Sequence, residues 1–297
     1  MRTFTSILED WASQVTLLVK LAHGILLDGI VLRSVTELQV INLTTISVPF
    51  ILLKMTHFRP FVPLHYRLSR KLWTDNGGDS LRYHMGDGVT WDSFYNRLSS
   101  SNSLHFDWFS SYNHLKDFLL SLLNDIAAEQ HTETPLKLLD VGCGTSDVGL
   151  GIFCDSTVPV CVSCIDRSAP AILAMNNILK GPTIVPKHPN SCLKYIQGDA
   201  TDLHGFPSSS TSLVLDKGTS DSLLRLSKMD AQRMVKEALR VLHPRAKLVQ
   251  LTDEDPDARL PFLEEAGAGP GVTFHELGDR DSMPYYAYIV TSPCLAQ

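Results

Sequence analysis

The sequence predicts an α/β fold: a Rossmann-like sheet of seven strands, helices on both faces, and an antiparallel terminal strand. Three observations carry this prediction. From His105 onward, short apolar runs alternate with segments of helical periodicity. The first apolar run ends in a glycine-rich turn, Asp140-Val141-Gly142-Cys143-Gly144. The last two runs, 272–277 and 285–291, have only the turn from Gly278 to Pro284 between them, too short for the crossover of a parallel pair.

Helical periodicity over 112–128 comes first, then a strand at 138–141, where Leu138 and Leu139 lead into the turn. A helix at 147–153 follows the glycines. The run from Val158 to Ile165 yields a strand at 160–165, closed by Asp166, and a helix at 169–179. Strands are expected at 193–196, before Gly198-Asp199-Ala200, and at 212–215, before Asp216-Lys217-Gly218. A helix at 230–242, a strand at 246–252 and a short helix at 258–265 lead to the closing pair. This α/β domain occupies 104–297.

The preceding residues divide into three. Residues 1–54 are apolar but broken by Lys20, His23, Asp28, Gln39, Asn42 and Pro49, short of the roughly 20 apolar residues of a membrane span. No stable membrane insertion is expected, and the segment has no assigned role. Residues 55–74 carry Arg59, Arg67, Arg70 and Lys71, no acid and scattered aromatics, the pattern of a mitochondrial targeting segment. Translation is accordingly expected to start at Met55. Residues 75–103, rich in Gly, Ser, Asn and Asp, suggest a linker wrapping to the core, with Trp91-Asp92-Ser93-Phe94-Tyr95 as an aromatic cluster that must dock.

The formal charge of −6 is uneven: zero over 1–54, +4 over 55–74 and −10 over 75–297. An acidic body disfavours nucleic acid as a substrate and favours a basic protein surface. Six cysteines without a regular framework suggest reduced thiols. Cys161 and Cys164 lie three apart in an expected strand, facing opposite sides, and no second C-x-x-C completes a zinc site. No metal is expected.

The ligand of an open parallel sheet lies beyond the carboxyl ends of its strands. Gly142 and Gly144 let the backbone approach it, and the next helix aims N–H groups at it. The third glycine of a dinucleotide fingerprint falls at 147, where Asp147 would set an anion against a pyrophosphate. Asp166 can accept from both ribose hydroxyls, and Asp199, beside Ala200, can reach an adenine amino group. With Asp140 and Thr145, this set matches S-adenosylmethionine, the expected cofactor. Asp216 is expected at the reacting centre, beside the cofactor and in contact with an acceptor amine. Lys217 alternatively serves as a structural ion-pair partner. That loop has no Asn/Asp-Pro-Pro-aromatic motif, so base methylation loses support. Trp91, Phe106, Trp108, Phe109 and Tyr112 can form a cation–π wall or pack in the core, with Asp107 and Trp108 expected to reach the pocket as catalytic residues. The acidic run 253–255 can attract a basic substrate surface or remain a solvated loop.

On Asp140-Val-Gly-Cys-Gly-Thr-Ser146 and Asp216-Lys-Gly-Thr-Ser-Asp221 the chain resembles the class I, seven-strand protein lysine methyltransferases. Phe106-Asp107-Trp108-Phe109-x-x-Tyr112, Asp253-Glu254-Asp255-Pro256-Asp257-x-Arg259-Leu260-Pro261-x-Leu263-Glu264 and Tyr286-Ala287-Tyr288 are similar to the mitochondrial citrate synthase lysine methyltransferase family. The likeness spans roughly 88–291. It implies an S-adenosylmethionine-dependent protein-lysine N-methyltransferase of the mitochondrial matrix, with citrate synthase as substrate. Ser220 departs from the bulkier residue expected there, which bears on the acceptor pocket. The competing expectations are a small-molecule methyltransferase of the same fold and a non-catalytic S-adenosylmethionine-binding partner protein.

Overall fold

The computed structural model describes residues 84–100, 105–130, 134–269, 271–280 and 283–292. The segments 1–54 and 55–74, with the expected start at Met55, lie outside the described residues.

In chain order the elements are α1 (Gly88–Ser100), α2 (Tyr112–Gln130), β1 (Leu136–Val141), α3 (Val148–Asp155), β2 (Val160–Asp166), α4 (Ala169–Leu179), β3 (Cys192–Gln197) and β4 (Thr211–Lys217). Then come α5 (Thr219–Leu224), α6 (Lys228–Val241), β5 (Leu242–Thr252), α7 (Pro256–Glu265), β6 (Val272–Arg280) and β7 (Met283–Thr291). The strands form one seven-stranded sheet in the order β3-β2-β1-β4-β5-β7-β6. β7 runs antiparallel to both β5 and β6, while the other pairings are parallel. The closing pair continues into the expected turn, with partners as far as Arg280 and Met283.

The central strands read as continuous apolar runs because both of their faces are covered. One face packs Leu138, Val162 and Leu213 with Leu115, Leu119 and Ile126 of α2 and Ile152 of α3. The other packs Leu139, Val141 and Val214 with Met234, Val235 and Ala238 of α6 and Phe262 of α7. Among the described residues no helix is long and apolar enough to cross a membrane.

The expected linker 75–103 contains a helix, α1. Its glycines and serines flank a stripe, Trp91, Phe94, Tyr95 and Leu98, whose three- and four-residue spacing places the rings on one face. Phe94, Tyr95 and Leu98 are buried with Trp108 and Ala171. The short helix α5 was also absent from the sequence reading.

The acidic run after β5 is not simply a solvated loop. Arg259 of α7, wholly buried, pairs through Nε with Glu254 at 2.9 Å and through a second guanidinium nitrogen with Asp221. It also donates to Ser220 Oγ and Thr252 Oγ1, each at 3.0 Å. Asp255 caps α7 by accepting from Asp257 N–H at 3.0 Å. Truncating Arg259 strands two largely covered carboxylates, so Arg259→Ala is expected to lower unfolding free energy by about 3 kcal/mol in a urea titration.

Candidate functional site

A cleft opens at the carboxyl ends of β1, β2, β3 and β4. The strand order reverses between β1 and β4, so the crossovers diverge and leave a crevice there. Its floor comprises Asp140, Gly142, Cys143 and Ser146 around the β1 turn, Asp166 and Arg167 after β2, Gly198, Asp199 and Ala200 after β3, and Lys217, Gly218 and Thr219 after β4. Met85, Trp91, Tyr95, Phe106 and Trp108 cover it.

The turn needs its glycines for reasons internal to the chain. Gly142 has φ +64° and Gly144 φ +51°, a region that L side chains rarely adopt. A Cβ on Gly142 would overlap Thr219, whose hydroxyl donates to Val141 O at 2.8 Å. One on Gly144 would overlap the Tyr95 phenol. Asp166 Oδ2 accepts from Gly144 N–H and Oδ1 from Ser168 N–H, both at 2.8 Å, so this acid also fastens the turn. Burial pushes its carboxyl above the usual range, against the pull of those two donors.

Asp140 lies at the bottom of the cleft, where burial pushes its carboxyl up to about 7. Lys217 opposes that rise, while Asp216, Asp166 and Asp107 add to it. Cys164, the register partner of Asp140 on β2, stands beside it, and both side chains lie against Gly149. Asp199 sits exposed at the rim, its Oδ1 accepting from Thr201 N–H and Oγ1 at 2.8 Å.

Three acids and a threonine lie elsewhere than expected. Asp216 is wholly buried and does not line the cleft. Its Oδ1 accepts from the N–H groups of Thr219 (2.9 Å) and Ser220 (3.2 Å), and its Oδ2 from Gln250 Nε2 (2.8 Å). Strand alternation turns Asp216 beneath α5 and brings the next residue, Lys217, to the cleft. Burial pushes the Asp216 carboxyl up to about 6. Asp147 points away from any ligand, its Oδ1 accepting from Tyr112 N–H at 2.8 Å, so it braces α2 and sets no charge in a pyrophosphate site. Thr145 is buried outside the lining, its Oγ1 accepting from Phe106 N–H at 3.1 Å. Asp107 Oδ1 pairs with Lys217 Nζ at 3.0 Å and accepts from Ser146 Oγ at 2.6 Å, so it is committed within the protein.

Of the five aromatics, Trp91, Phe106 and Trp108 line the cleft. Tyr112 packs in the main core, and Phe109 lies behind Trp108. Tyr95, stacked on Trp91 at 5.7 Å, belongs to the wall instead. The four-residue spacing from Trp91 was the available signal. Lys217 is the ion-pair partner that the sequence offered, with Asp107 at 3.0 Å, and it also lines the cleft. Arg167 was overlooked because no local pattern marks which strand-end side chain turns inward. Ser220 accepts from Arg259 and Gln250 behind the wall, so its small size does not shape the cleft.

Sheet and cleft together define a class I S-adenosylmethionine-dependent methyltransferase. A family model described as a methyltransferase domain matches residues 139–250. The chain is 39% identical over 211 residues to a mitochondrial citrate synthase-lysine N-methyltransferase of Homo sapiens, covering 69% of this chain and 86% of the relative. The equivalent protein of Danio rerio is 34% identical over 221 residues, covering 72% and 86%. A solved S-adenosylmethionine-dependent methyltransferase from Methanosarcina mazei is 17% identical with a TM-score of 0.44, covering 56% of this chain and 96% of that one. The chain belongs to the citrate synthase-lysine N-methyltransferase family, and S-adenosylmethionine is its cofactor.

The raised carboxyl of Asp140 has a consequence for stability. Its folded value, about 7, lies above the ordinary carboxylate value, so its contribution is full below about pH 4 and is lost as pH rises to about 7. Asp140→Asn removes that loss. The variant is therefore expected to gain stability relative to the wild-type chain between pH 5 and pH 8, measured from urea midpoints at each pH.

Proposed function

We propose that this chain transfers methyl groups from S-adenosylmethionine to a lysine Nζ of citrate synthase in the mitochondrial matrix. The observation that carries this reading is one cleft joining strand-end acids to an aromatic wall. The named activity and mitochondrial location of the relatives support it.

The residues fit the cofactor's chemistry. Asp140, a buried carboxyl at the bottom of the cleft, suits the cofactor's amino group, a cation that favours its ionised form. Asp166 is assigned to the ribose hydroxyls, and Asp199 with Ala200 to the adenine. The left-handed turn at Gly142 and Gly144 shapes the floor. Bound S-adenosylmethionine supplies a methyl group on a sulfonium, set for in-line displacement.

On the acceptor side, the chain must present an amine along that line and keep it neutral. Trp91 and Trp108, packed edge to face with centroids 6.0 Å apart, both line the cleft, where an aromatic ring can attract an ammonium or methylammonium group and exclude water. Removal from water disfavours the charged amine and helps it lose its proton. Asp216 is assigned to the support of α5 and not to proton transfer, because its oxygens are occupied and buried. Residues 55–74 remain assigned to mitochondrial targeting.

The test incubates the purified chain with methyl-labelled S-adenosylmethionine and purified citrate synthase, followed by peptide mass spectrometry. Label on one lysine is the expected outcome; label confined to small molecules in a mitochondrial extract would overturn the acceptor assignment. Gly142→Val, which forces a β-branched side chain into φ +64° and onto Thr219, is expected to abolish calorimetric binding of S-adenosylhomocysteine.

A further inference from the structure

We propose that Lys217 is a positioning residue for methyl transfer: its ammonium holds segment 105–110 across the cleft so that Trp108 stands in the acceptor wall. This deepens the reading above and rests on it.

The Lys217 and Asp107 side chains are 7% and 13% exposed. A buried ammonium needs acceptors, and Nζ finds two on the same segment, Asp107 Oδ1 at 3.0 Å and Trp108 O at 2.9 Å. Ser146 Oγ donates to the same Asp107 oxygen at 2.6 Å, so β4, the cofactor turn and the aromatic segment meet at one carboxylate. The backbone then turns sharply. Phe109 has φ +63°, unfavourable for a bulky side chain, and Ser110 N–H donates to Trp108 O at 2.8 Å. Lys217 therefore bonds the carbonyl around which this turn closes.

The pair also solves an electrostatic problem. A lone cation here would repel both the sulfonium and the incoming lysine, whereas Lys217 with Asp107 adds no net charge. Removing only the ammonium leaves the covered Asp107 side chain with Ser146 as its donor. The segment must then move outward to hydrate that carboxylate, carrying Trp108 with it. Asp166, Asp199 and Ala200 lie across β1 from Lys217, at the ends of β2 and β3, and keep their places, while Asp140 stays in position and loses only the attraction of the Lys217 ammonium. Methyl transfer is expected to suffer more than cofactor binding.

The test compares Lys217→Met, Asp107→Asn, their combination and Lys217→Arg in the full chain. It measures kcat and KM on the protein acceptor, S-adenosylhomocysteine Kd by calorimetry, melting temperature, and amide hydrogen exchange over 105–110. Lys217→Met is expected to lower kcat by about tenfold or more and to weaken Kd by a smaller factor, because displacement of the wall spoils alignment while Asp140 loses only a nearby charge. The double variant should regain melting temperature, since no lone charge is left buried, without regaining kcat. Lys217→Arg should recover part of kcat. Exchange over 105–110 should rise in Lys217→Met and in the double variant while β1 stays protected. Wild-type kcat in Lys217→Met, kcat recovered with stability in the double variant, or unchanged exchange would each overturn the proposal. Should the wild-type chain bind S-adenosylhomocysteine yet leave the protein unmethylated, the acceptor reading fails, while the exchange comparison still decides the role of Lys217.

Discussion

Carboxylates at the carboxyl end of a sheet buried on both faces must find donors, and the rest of the site follows from how each is satisfied. Removing such a group from water without a partner costs more than most single contacts return. Asp166 takes two backbone N–H groups and so fastens the turn after β1. Asp216 takes the first N–H groups of α5 and the Gln250 amide, fixing the loop after β4. Asp107 takes Lys217 and Ser146, which draws the aromatic segment over the opening. Asp140 lies at the bottom of the cleft, where burial pushes its carboxyl up to about 7.

The same accounting explains the far side of the cleft. Arg259 has no exposure to water and lies among Asp221, Glu254, Ser220 and Thr252. It ties α5 to the end of β5 and to α7. Gln250 links this group to Asp216 and therefore to the loop that presents Lys217. A polar network thus runs behind the acceptor wall from β5 to β4, where an apolar core could not specify the orientation of α5.

Much of the fold was legible because its signals are local. Helix 169–179 coincides with α4, since flanking breakers and periodicity agree there. The reversed strand followed from a connection too short to cross over. By contrast, α1 was concealed by its Gly- and Ser-rich setting, and the stripe from Trp91 to Leu98 stays helical because it has Trp108 and Ala171 to pack against. The ligand-side glycines were recognised for their freedom of approach, but Thr219 and Tyr95, remote in sequence, supply the steric demand.

The sequence by itself determined the sheet, its order of elements and the strand ends on which chemistry concentrates, because periodicity, glycine and acid placement act over a few residues. Only the tertiary structure decided which acids face the cleft. Neighbouring strand residues point opposite ways, so Asp216, expected at the reacting centre, is buried beneath α5, while Lys217 reaches the cleft and pairs there with Asp107. Whether a carboxylate is free depends on donors from other segments: Tyr112 for Asp147, Gln250 for Asp216, Lys217 for Asp107. Those partners lie 34 to 110 residues away, beyond the reach of any local pattern.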